Sequence, residues 1–491
     1  MKKFRVVAIW LYTLTLLVAC AQPDAEPGTK NVSVAEHKKP NIVIIFADDM
    51  GWGDIQKYNP ETKVPTPNLN MLANEGMIFT DAHSSSAVCT PSRYSLLTGR
   101  YAWRTQLKKG VLNGRSPLMI DLTTETLPSL LKRADYNTLM VGKWHLGIGT
   151  NKPDYRGRLA PGPNAVGFDY FYGIAASLDM GPYVLIENEQ VITPLNGDKI
   201  AGSKHRRHNG GGFWRPDEIG QGFKHEEVLP LITDKAVEKI HQASQQDKPF
   251  FMYFSLTSPH TPWLPVGKFK GSTEVGYYGD FAAYTDAMVG KITAAIKASG
   301  IEKNTLVIFS SDNGANWWPH QIEKYGHLAN GPWRGQKADI YEGGHRVPLI
   351  VKWPEKVLAD SQSNIPVVLN DVMRTLASIV KVKPADGSAP DSYDFSKPLL
   401  GKLVTQNYKR PAMIHHSFSG HFAIRVGDWK LIEGLGSGGF SKPKKLDVKP
   451  GQSPYQLYNL ADDPSEQINL AAQRPEKVTE LLAELNRIRK N

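Results

Sequence analysis

The sequence predicts an α/β protein with a large, mixed, mostly parallel sheet, followed by a small antiparallel sheet and a terminal helix. Three observations lead to this prediction. Uninterrupted apolar runs recur up to about residue 353, helical patterns separate them, and the pattern changes after residue 383. Strands that alternate with helices are typical of a parallel sheet covered by helices.

The apolar runs have the length of strands and contain almost no polar position. Such runs predict strands that are buried on both faces, as the centre of a parallel sheet requires. They lie at residues 41–47, 250–256, 305–310 and 348–353. Apolar residues at helical spacing predict helices between and beside them. These helices lie at residues 67–75, 127–134, 232–245, 284–299 and 371–380.

After residue 383, Pro, Gly, Asp and Ser separate shorter strand candidates. These candidates lie at residues 413–416, 422–426 and 429–433. In residues 475–490 one helical face carries Val478, Leu481, Leu482, Leu485 and Ile488, which predicts an amphipathic helix. We therefore predict a large domain over residues 40–382 and a C-terminal subdomain over residues 383–491.

The N-terminus has the pattern of a targeting segment. A positively charged start precedes an apolar stretch, residues 6–18, that is too short to span a bilayer. The stretch ends in Leu-Val-Ala-Cys, which resembles a bacterial lipobox; an ordinary signal peptide is the alternative. We predict a lipoprotein signal peptide over residues 1–19, lipidation at Cys20, and a flexible tether over residues 20–39. Ala21 and Gln22 after the cysteine favour an outer-membrane anchor.

The composition is that of a globular protein. Of 491 residues, 41% are hydrophobic and 22% are charged, which excludes fibrous and disordered classes. Two cysteines exclude a disulfide scaffold and a Cys-based zinc site. Removing the targeting segment lowers the formal charge from +10 to +7, which favours an anionic partner. No basic run indicates a nucleic-acid arm, so we expect no nucleic-acid partner.

Two polar pairs follow two of the predicted buried strands. Asp48 and Asp49 come directly after the run at 41–47, and Asp312 and Asn313 follow the run that begins at residue 305. Ligands of open α/β sheets bind outside the carboxyl ends of the strands. Carboxylate and amide oxygens suit Ca²⁺ or Mg²⁺. Either pair alone is more commonly a turn or a helix cap, but two pairs together favour a metal site.

Residues 89–99 read CTPSRYSLLTG. This stretch matches the signature of the sulfatase family, and the chain resembles that family over nearly its whole length after residue 40. No departure is found at the family's core positions. Further matching motifs lie at residues 40–43, 142–147, 258–262, 312–314, 335–337, 342–348, 457–460 and 463–466. The resemblance implies an alkaline-phosphatase-like sandwich fold for the large domain.

The resemblance also implies the chemistry. Cys89 is expected to be oxidised by a maturation enzyme to formylglycine (3-oxoalanine). One hydroxyl of its hydrate then attacks sulfur, and the other later expels sulfate. Formylglycine at position 89 and the residues Asp48, Asp49, Asp312 and Asn313 are expected to hold one divalent cation, Ca²⁺ in first place and Mg²⁺ in second.

Five further residues receive roles by the same resemblance. Lys143 and Lys337 are expected to bind the sulfate group, and Arg93 to stabilise the oxyanion one helical turn after Cys89. His145 is expected to act on the diol as a base. His260, between two prolines, is expected to be the general acid for the leaving oxygen. In isolation, either histidine would more commonly be structural.

Specificity is expected to depend on loops. A basic cluster at residues 204–208 precedes a Gly-rich stretch, and tryptophans follow both His260 and the pair at 312–313. A solvated loop and core tryptophans are the alternatives. The candidates for substrate contact are His205, Arg206, Arg207, Trp214, Trp263 and Trp317. His83, His327 and His345 are undecided between structure and substrate contact.

Together with the predicted export and outer-membrane anchor, these features favour a sulfated polysaccharide substrate. Algal material such as ulvan or carrageenan is favoured, and a glycosaminoglycan is the second possibility. Two alternatives remain for the function: a phosphate or phosphonate monoester hydrolase of the same superfamily, or a non-catalytic glycan-binding surface lipoprotein. Asp312 with Asn313 argues against two-zinc phosphatases, which place Asp-His at this point. The sequence gives no oligomeric state.

Overall fold

A ten-stranded mixed sheet forms the centre of the protein. The computed structural model describes residues 38–203, 211–402 and 407–490, and the chain from Lys39 onward forms one compact unit. The strands are β1 (Asn41–Asp48), β2 (Met77–Phe79), β3 (Ala82–His83), β4 (Asn137–Lys143), β5 (Tyr170–Ile174), β6 (Ile186–Glu187), β7 (Gln190–Val191), β8 (Leu195–Ile200), β9 (Asp217–Gly220), β10 (Phe250–Pro259), β11 (Thr305–Ser311), β12 (Leu349–Lys352), β13 (Ser361–Ser363), β14 (Val367–Val368), β15 (Met413–His416), β16 (Phe422–Val426), β17 (Trp429–Glu433) and β18 (Tyr455–Asn459).

Helices cover this sheet and the smaller sheet. They are α1 (Pro67–Asn74), α2 (Cys89–Thr98), α3 (Leu127–Arg133), α4 (His225–Ser244), α5 (Gly276–Ala298), α6 (Pro319–Tyr325), α7 (Glu342–His345), α8 (Val372–Val380), α9 (Ser396–Leu399) and α10 (Pro475–Lys490). Short 3₁₀ turns occupy several of the connections.

The sheet order is β13-β2-β12-β11-β1-β10-β4-β5-β6-β7. The five central strands, from β11 to β5, are parallel to one another. Antiparallel pairs flank them on both sides, because β12 runs against β11 and β6 runs against β5. The α/β class with a large, mostly parallel sheet is therefore confirmed. The fourth predicted run became β12, whose direction an apolar run does not encode.

The two faces of the sheet bury separate cores. Alternate residues of β1 point to opposite faces: Ile42, Ile44 and Phe46 belong to one apolar cluster, and Val43 and Ile45 belong to the other. This double burial explains why the strand is apolar without alternation. The predicted helices are present, but α4 and α5 begin seven and eight residues earlier than predicted. Pro230 inside α4 and two glycines in the first turn of α5 obscured these starts.

The C-terminal part forms a four-stranded antiparallel sheet in the order β15-β16-β17-β18. Helix α10 packs its Val478, Leu481 and Leu485 against this sheet. Tyr101 and Trp103 from the N-terminal half join the same apolar cluster. The predicted C-terminal sheet and helix are present, with β18 as an additional strand.

Among the described residues, no helix has both the length and the apolar character that crossing a bilayer would require. The predicted signal peptide, Cys20 and most of the tether lie outside the described residues.

Candidate active site

The candidate site lies where four neighbouring parallel strands end. In the order β11, β1, β10 and β4, their carboxyl ends deliver side chains to one edge of the sheet, as the rule for open α/β sheets predicts. The residues delivered are Asp312 and Asn313 after β11, Asp48 and Asp49 at the end of β1, His260 after β10, and Lys143 at the end of β4.

The two predicted polar pairs meet, and all four side chains are buried. Asn313 Nδ2 donates to Asp49 Oδ1 at 2.7 Å, and the Asp49 amide donates to Asp312 Oδ1 at 3.2 Å. The first bond fixes the Asn313 amide with its oxygen free. Asn313 Oδ1 and Asp48 Oδ1 are both buried, and neither has a hydrogen-bond partner among the residues that the structure describes. Buried acceptors of this kind are rare, so these oxygens fit a divalent cation.

Two buried lysines contact the acids of this cluster. Lys143 Nζ lies 2.7 Å from Asp48 Oδ2, and Lys337 Nζ lies 2.5 Å from Asp49 Oδ1. Burial alone would raise the pKa of Asp48, but Lys143, His260 and Arg93 hold it well below its usual range. Burial likewise opposes the charge of Lys337, and Asp49 overrides it, so the pKa of Lys337 is raised.

The charges of the cluster balance before any ligand is considered. Three acids, Asp48, Asp49 and Asp312, face three bases, Lys143, Lys337 and Arg93. A divalent cation would therefore leave an excess of positive charge. Such an excess suits an oxyanion whose charge increases during a reaction.

Cys89 is the first residue of α2, a helix whose ten residues are all buried. Its Sγ lies 3.5 Å from Lys337 Nζ, and one ligand atom from each of Asp48, Asp49, Cys89 and His260 falls within 4.8 Å of the others. Burial raises the pKa of the Cys89 thiol far above its usual range. The thiol therefore stays protonated, and the unmodified side chain is a weak nucleophile.

Arg93 follows one turn later on the same helical face. Its Nε and one terminal nitrogen donate to Asp312 Oδ2 at 3.0 and 2.7 Å, and its other terminal nitrogen donates to Ser255. The guanidinium thus holds a metal-ligand candidate in place, and its contacts are with these groups rather than with Cys89. Its expected role on the oxyanion stays a prediction.

His145 presents a free acceptor. Its Nε2 lies 2.8 Å from the Leu112 carbonyl oxygen and donates to it, so Nδ1 carries the lone pair. Nδ1 is buried and has no hydrogen-bond partner in the described part of the chain. Burial, then Lys143 and Arg93, hold the pKa of His145 well below its usual range, so the ring is neutral. A neutral imidazole with a free nitrogen is the form that a base requires.

The backbone at His145 is not extended, although an extended turn would place Lys143 and His145 on one side by alternation. The structure instead gives His145 a φ of +59°, in the left-handed region that a non-glycine residue seldom adopts. Asp49 has a φ of +68°. Strained residues of this kind concentrate at functional sites.

His260 and a serine that the sequence did not reveal lie beside Lys143. His260 Nδ1 donates to the Thr261 carbonyl oxygen at 2.5 Å, and its Nε2 lies 3.8 Å from Asp49 Oδ2. Ser177 Oγ lies 3.2 Å from His260 Nδ1 and 3.3 Å from Lys143 Nζ. Ser177 follows β5, which is paired with β4, and no motif marks a lone serine in the sequence.

The six candidates for substrate contact differ in their burial and in whether the structure describes them. Trp317 and Trp263 are only 2% and 4% exposed, and both pack on Tyr278. The expectation that these two tryptophans contact the substrate is thereby corrected, because their ring faces pack in the core. Trp214 is partly buried and stacks on the His225 ring at 4.8 Å. The candidates His205, Arg206 and Arg207 lie outside the described residues.

Two of the undecided histidines belong to a buried hydrogen-bonded chain. Lys430 Nζ lies 3.1 Å from His345 Nε2, the two Nδ1 atoms of His345 and His83 are 3.0 Å apart, and His83 Nε2 lies 2.8 Å from Asp81. Lys430 can only donate, so His345 accepts at Nε2 and donates from Nδ1 to His83. His83 then donates from Nε2 to Asp81, and both rings are neutral. His327 is also buried and bonds Asp54 at 2.8 Å. All three are structural.

Known proteins resemble this chain along most of its length. The family model described as Sulfatase matches residues 40–382. The chain is 35% identical to an N-acetylgalactosamine-6-O-sulfatase of Bacteroides thetaiotaomicron, over 95% of this chain and 96% of that protein. It is 32% identical to N-acetylgalactosamine-6-sulfatase of Mus musculus, over 80% of this chain and 71% of that protein.

The fold has a matching relative among solved structures. A structure from work on the metabolism of multiple glycosaminoglycans by Bacteroides thetaiotaomicron superposes with a TM-score of 0.82. Its sequence is 33% identical, and the match covers 92% of this chain and 100% of that chain.

Proposed function

The chain belongs to the sulfatase family and is a sulfuric ester hydrolase, and from that premise we propose that it removes 6-O-sulfate from N-acetylgalactosamine in glycosaminoglycan-type carbohydrates. Two relatives that are named for this activity support the proposal, one of them along nearly the whole chain. The algal polymers favoured by the sequence alone have no such support among these relatives.

The observation that carries the reaction is the convergence of Asp48, Asp49, Cys89 and His260 within 4.8 Å. Hydrolysis of a sulfate ester requires a nucleophile, neutralisation of the sulfonate oxygens and a proton for the leaving oxygen. Conversion of Cys89 to formylglycine would supply a hydrated aldehyde as the nucleophile, which the protonated thiol does not provide.

The cation has a fitting set of donors. Asp48, Asp49, Asp312 and Asn313 would hold it, and the two unpartnered oxygens among them support this assignment. Ca²⁺ is favoured over Mg²⁺ because four oxygen-donating side chains suit its larger coordination number, whereas Mg²⁺ usually keeps several waters. When bound, the cation supplies positive charge that stabilises a sulfate oxygen and the attacking oxygen.

The remaining steps fall to the chain's own side chains. Lys143 and Lys337 bind the sulfonate oxygens through ammonium groups that are already buried at the site. His260 gives the leaving oxygen its proton from Nε2, and Ser177 orients its ring. His145 is neutral and has a free Nδ1, so it accepts the proton of the second hydroxyl of the hydrate when sulfate is expelled. Arg93 holds Asp312 in position.

We also propose that the protein is exported and anchored by a lipid at Cys20 in the outer membrane. The positively charged start, the short apolar stretch and the cysteine at its end support this proposal. Mass analysis of the mature N-terminus tests it: a lipidated peptide beginning at Cys20 is expected, and cleavage at any other residue would contradict it.

Sulfate release tests the substrate. The protein is matured, conversion of Cys89 is verified by mass, and inorganic sulfate is measured over a substrate panel. The panel holds N-acetylgalactosamine 6-sulfate and 4-sulfate, ulvan and carrageenan oligosaccharides, an aryl sulfate and a phosphate monoester. We expect release from the 6-sulfate and the aryl sulfate. Release from an algal oligosaccharide alone would contradict the sugar, and release of phosphate alone would contradict the reaction.

A further inference from the structure

Arg215 is held beside the site by a buried carboxylate. It donates from its backbone amide to the Asp179 carbonyl oxygen at 3.0 Å, and one terminal nitrogen donates to Asp179 Oδ2. The Asp179 side chain is 4% exposed, whereas the Arg215 side chain is 46% exposed. Asp179 lies two residues after Ser177, which contacts both Lys143 and His260. The guanidinium is therefore fixed at one end and open to solvent at the other.

A second attachment places the segment of residues 211–215 between two parts of the site. The Trp263 amide donates to the Gly211 carbonyl oxygen at 3.0 Å, and Trp263 is three residues after His260. A Cβ on Gly211 would lie 2.7 Å from Trp263, and its φ is +66°, so glycine is required for this close approach. Residues 211–215 are thus hydrogen-bonded to the segments that carry His260 and Ser177.

This ion pair differs from the structural ion pairs of the same chain. Arg104 binds both oxygens of Asp391, and Arg410 binds both oxygens of Asp371, so those carboxylates are saturated. Arg215 uses one terminal nitrogen only. Within the described ranges, its Nε and its other terminal nitrogen have no acceptor, and Asp179 Oδ1 is buried without a donor.

We propose that Arg215 binds a second anionic group of the substrate, a uronate carboxylate or a further sulfate close to the ester that is cleaved. The proposal rests on the proposed function and deepens it. The planar fork of an arginine matches the two oxygens of such a group. Phe213 packs beside the guanidinium at 5.4 Å and restricts its motion. Asp179, as the positioning residue, keeps the fork oriented.

Three substrates separate the two sources of the anion. N-acetylgalactosamine 6-sulfate carries no second anion, a uronate-linked disaccharide of it adds a carboxylate, and the 4,6-disulfate adds a sulfate. In Arg215→Ala we expect kcat/KM to fall by about 10- to 100-fold on a substrate with the recognised anion, mainly through KM. The simple 6-sulfate and an aryl sulfate should change by less than about twofold.

The controls are chosen in the same region. Arg215→Lys keeps the charge and loses the fork, so it should recover only part of the affinity. Arg156→Ala removes an equally exposed arginine that pairs with Glu218, and it should change no substrate preference. A loss confined to the disaccharide assigns the carboxylate, and a loss confined to the disulfate assigns the sulfate. Equal losses on all substrates, or none, would overturn the proposal.

Binding separates this proposal from the proposed function. If the matured enzyme cleaves the aryl sulfate but no hexosamine sulfate, the proposed substrate fails. Calorimetry on the Cys89→Ala variant then measures the disaccharide, the disulfate and the simple 6-sulfate directly. If adding Arg215→Ala to this variant weakens the binding of one dianionic sugar, the result supports the anion site. Unchanged binding, or no binding of either dianionic sugar, overturns it.

Discussion

Lys430 joins the C-terminal sheet to the turn beside the active site, and its removal should destabilise the whole fold. The ammonium is fully buried and lies 3.0 Å from Glu342 Oε1, 2.8 Å from Glu466 Oε1 and 3.1 Å from His345 Nε2. Lys430→Met fills a similar volume and leaves two buried carboxylates without their common partner. Breaking a buried pair in this way costs about 3 to 5 kcal/mol.

That loss corresponds to a small but measurable shift in melting temperature. The entropy of unfolding is about 2.1 cal/mol/K per residue, so a unit of this length unfolds with about 1 kcal/mol/K. The expected fall in Tm at neutral pH is therefore about 3 to 5 °C. Thermal unfolding followed by circular dichroism measures it. Lys383→Met, which removes an exposed lysine paired with Asp386, should shift Tm by less than about 1 °C.

The loss should also depend on pH. Burial raises the pKa of Glu466 to about 7, above its ordinary value of 4.5. The folded state thus holds a proton that the unfolded chain releases between these values. The stability due to this proton is present below pH 4.5 and is lost as the pH rises through 7. Without Lys430 the carboxylates favour protonation further, so Lys430→Met should cost more at pH 8 than at pH 5.

A double variant provides the decisive comparison. Arg346 still pairs with Glu342 at 2.8 Å in Lys430→Met, so Glu466 is the carboxylate that loses its basic partner, and adding Glu466→Gln removes that charge. Part of the lost Tm should return. A double variant that is less stable than Lys430→Met, or a loss that is equal at pH 5 and pH 8, would refute the electrostatic reasoning.

Three further predictions concern the site. Cys89→Ala should lower turnover by about 10³-fold or more while Tm stays unchanged, since the side chain supplies the nucleophile; full activity would contradict this assignment. His260→Ala should cost about 10²- to 10⁴-fold on esters of poor leaving alcohols and far less on an activated aryl sulfate, and equal losses would remove it as the general acid. After chelation, adding Ca²⁺ back should raise Tm, and Asn313→Ala should require about tenfold more Ca²⁺ for the same rise. An unchanged titration would exclude this residue as a ligand.

The sequence predicted the parts of the fold that depend on local pattern. Residues 41–47 are apolar without alternation because both faces of β1 are buried, and that pattern is visible in one dimension. The direction of β12 depends on the path of the connection from β11, and the residues of β12 do not record that path. The early start of α5 was hidden because Gly276 and Gly279 lower helix propensity locally, while packing against α4 and β10 sustains the helix.

The candidate site was predictable where residues belong to a motif and not elsewhere. Lys143, His145 and His260 are marked by their neighbours in the sequence. Ser177 acquires its role only because β5 pairs with β4, a long-range fact. Trp317 shows the opposite failure, because a tryptophan at a site mouth and one in the core look alike until the packing is known.

The dependence of the site on Glu466 also has a consequence for the order in which the protein is made. Glu466 accepts from the Glu342 amide at 2.7 Å, and Gly314, directly after Asn313, donates to Gly344 in that same turn. The hydrogen bonding of the turn next to Asn313 is therefore complete only after residue 466 has been synthesised. At about 5 to 20 residues per second, roughly 20 to 75 s separate the synthesis of Cys89 from that of Glu466. During this interval Cys89 would be accessible to the maturation enzyme that the proposed function requires.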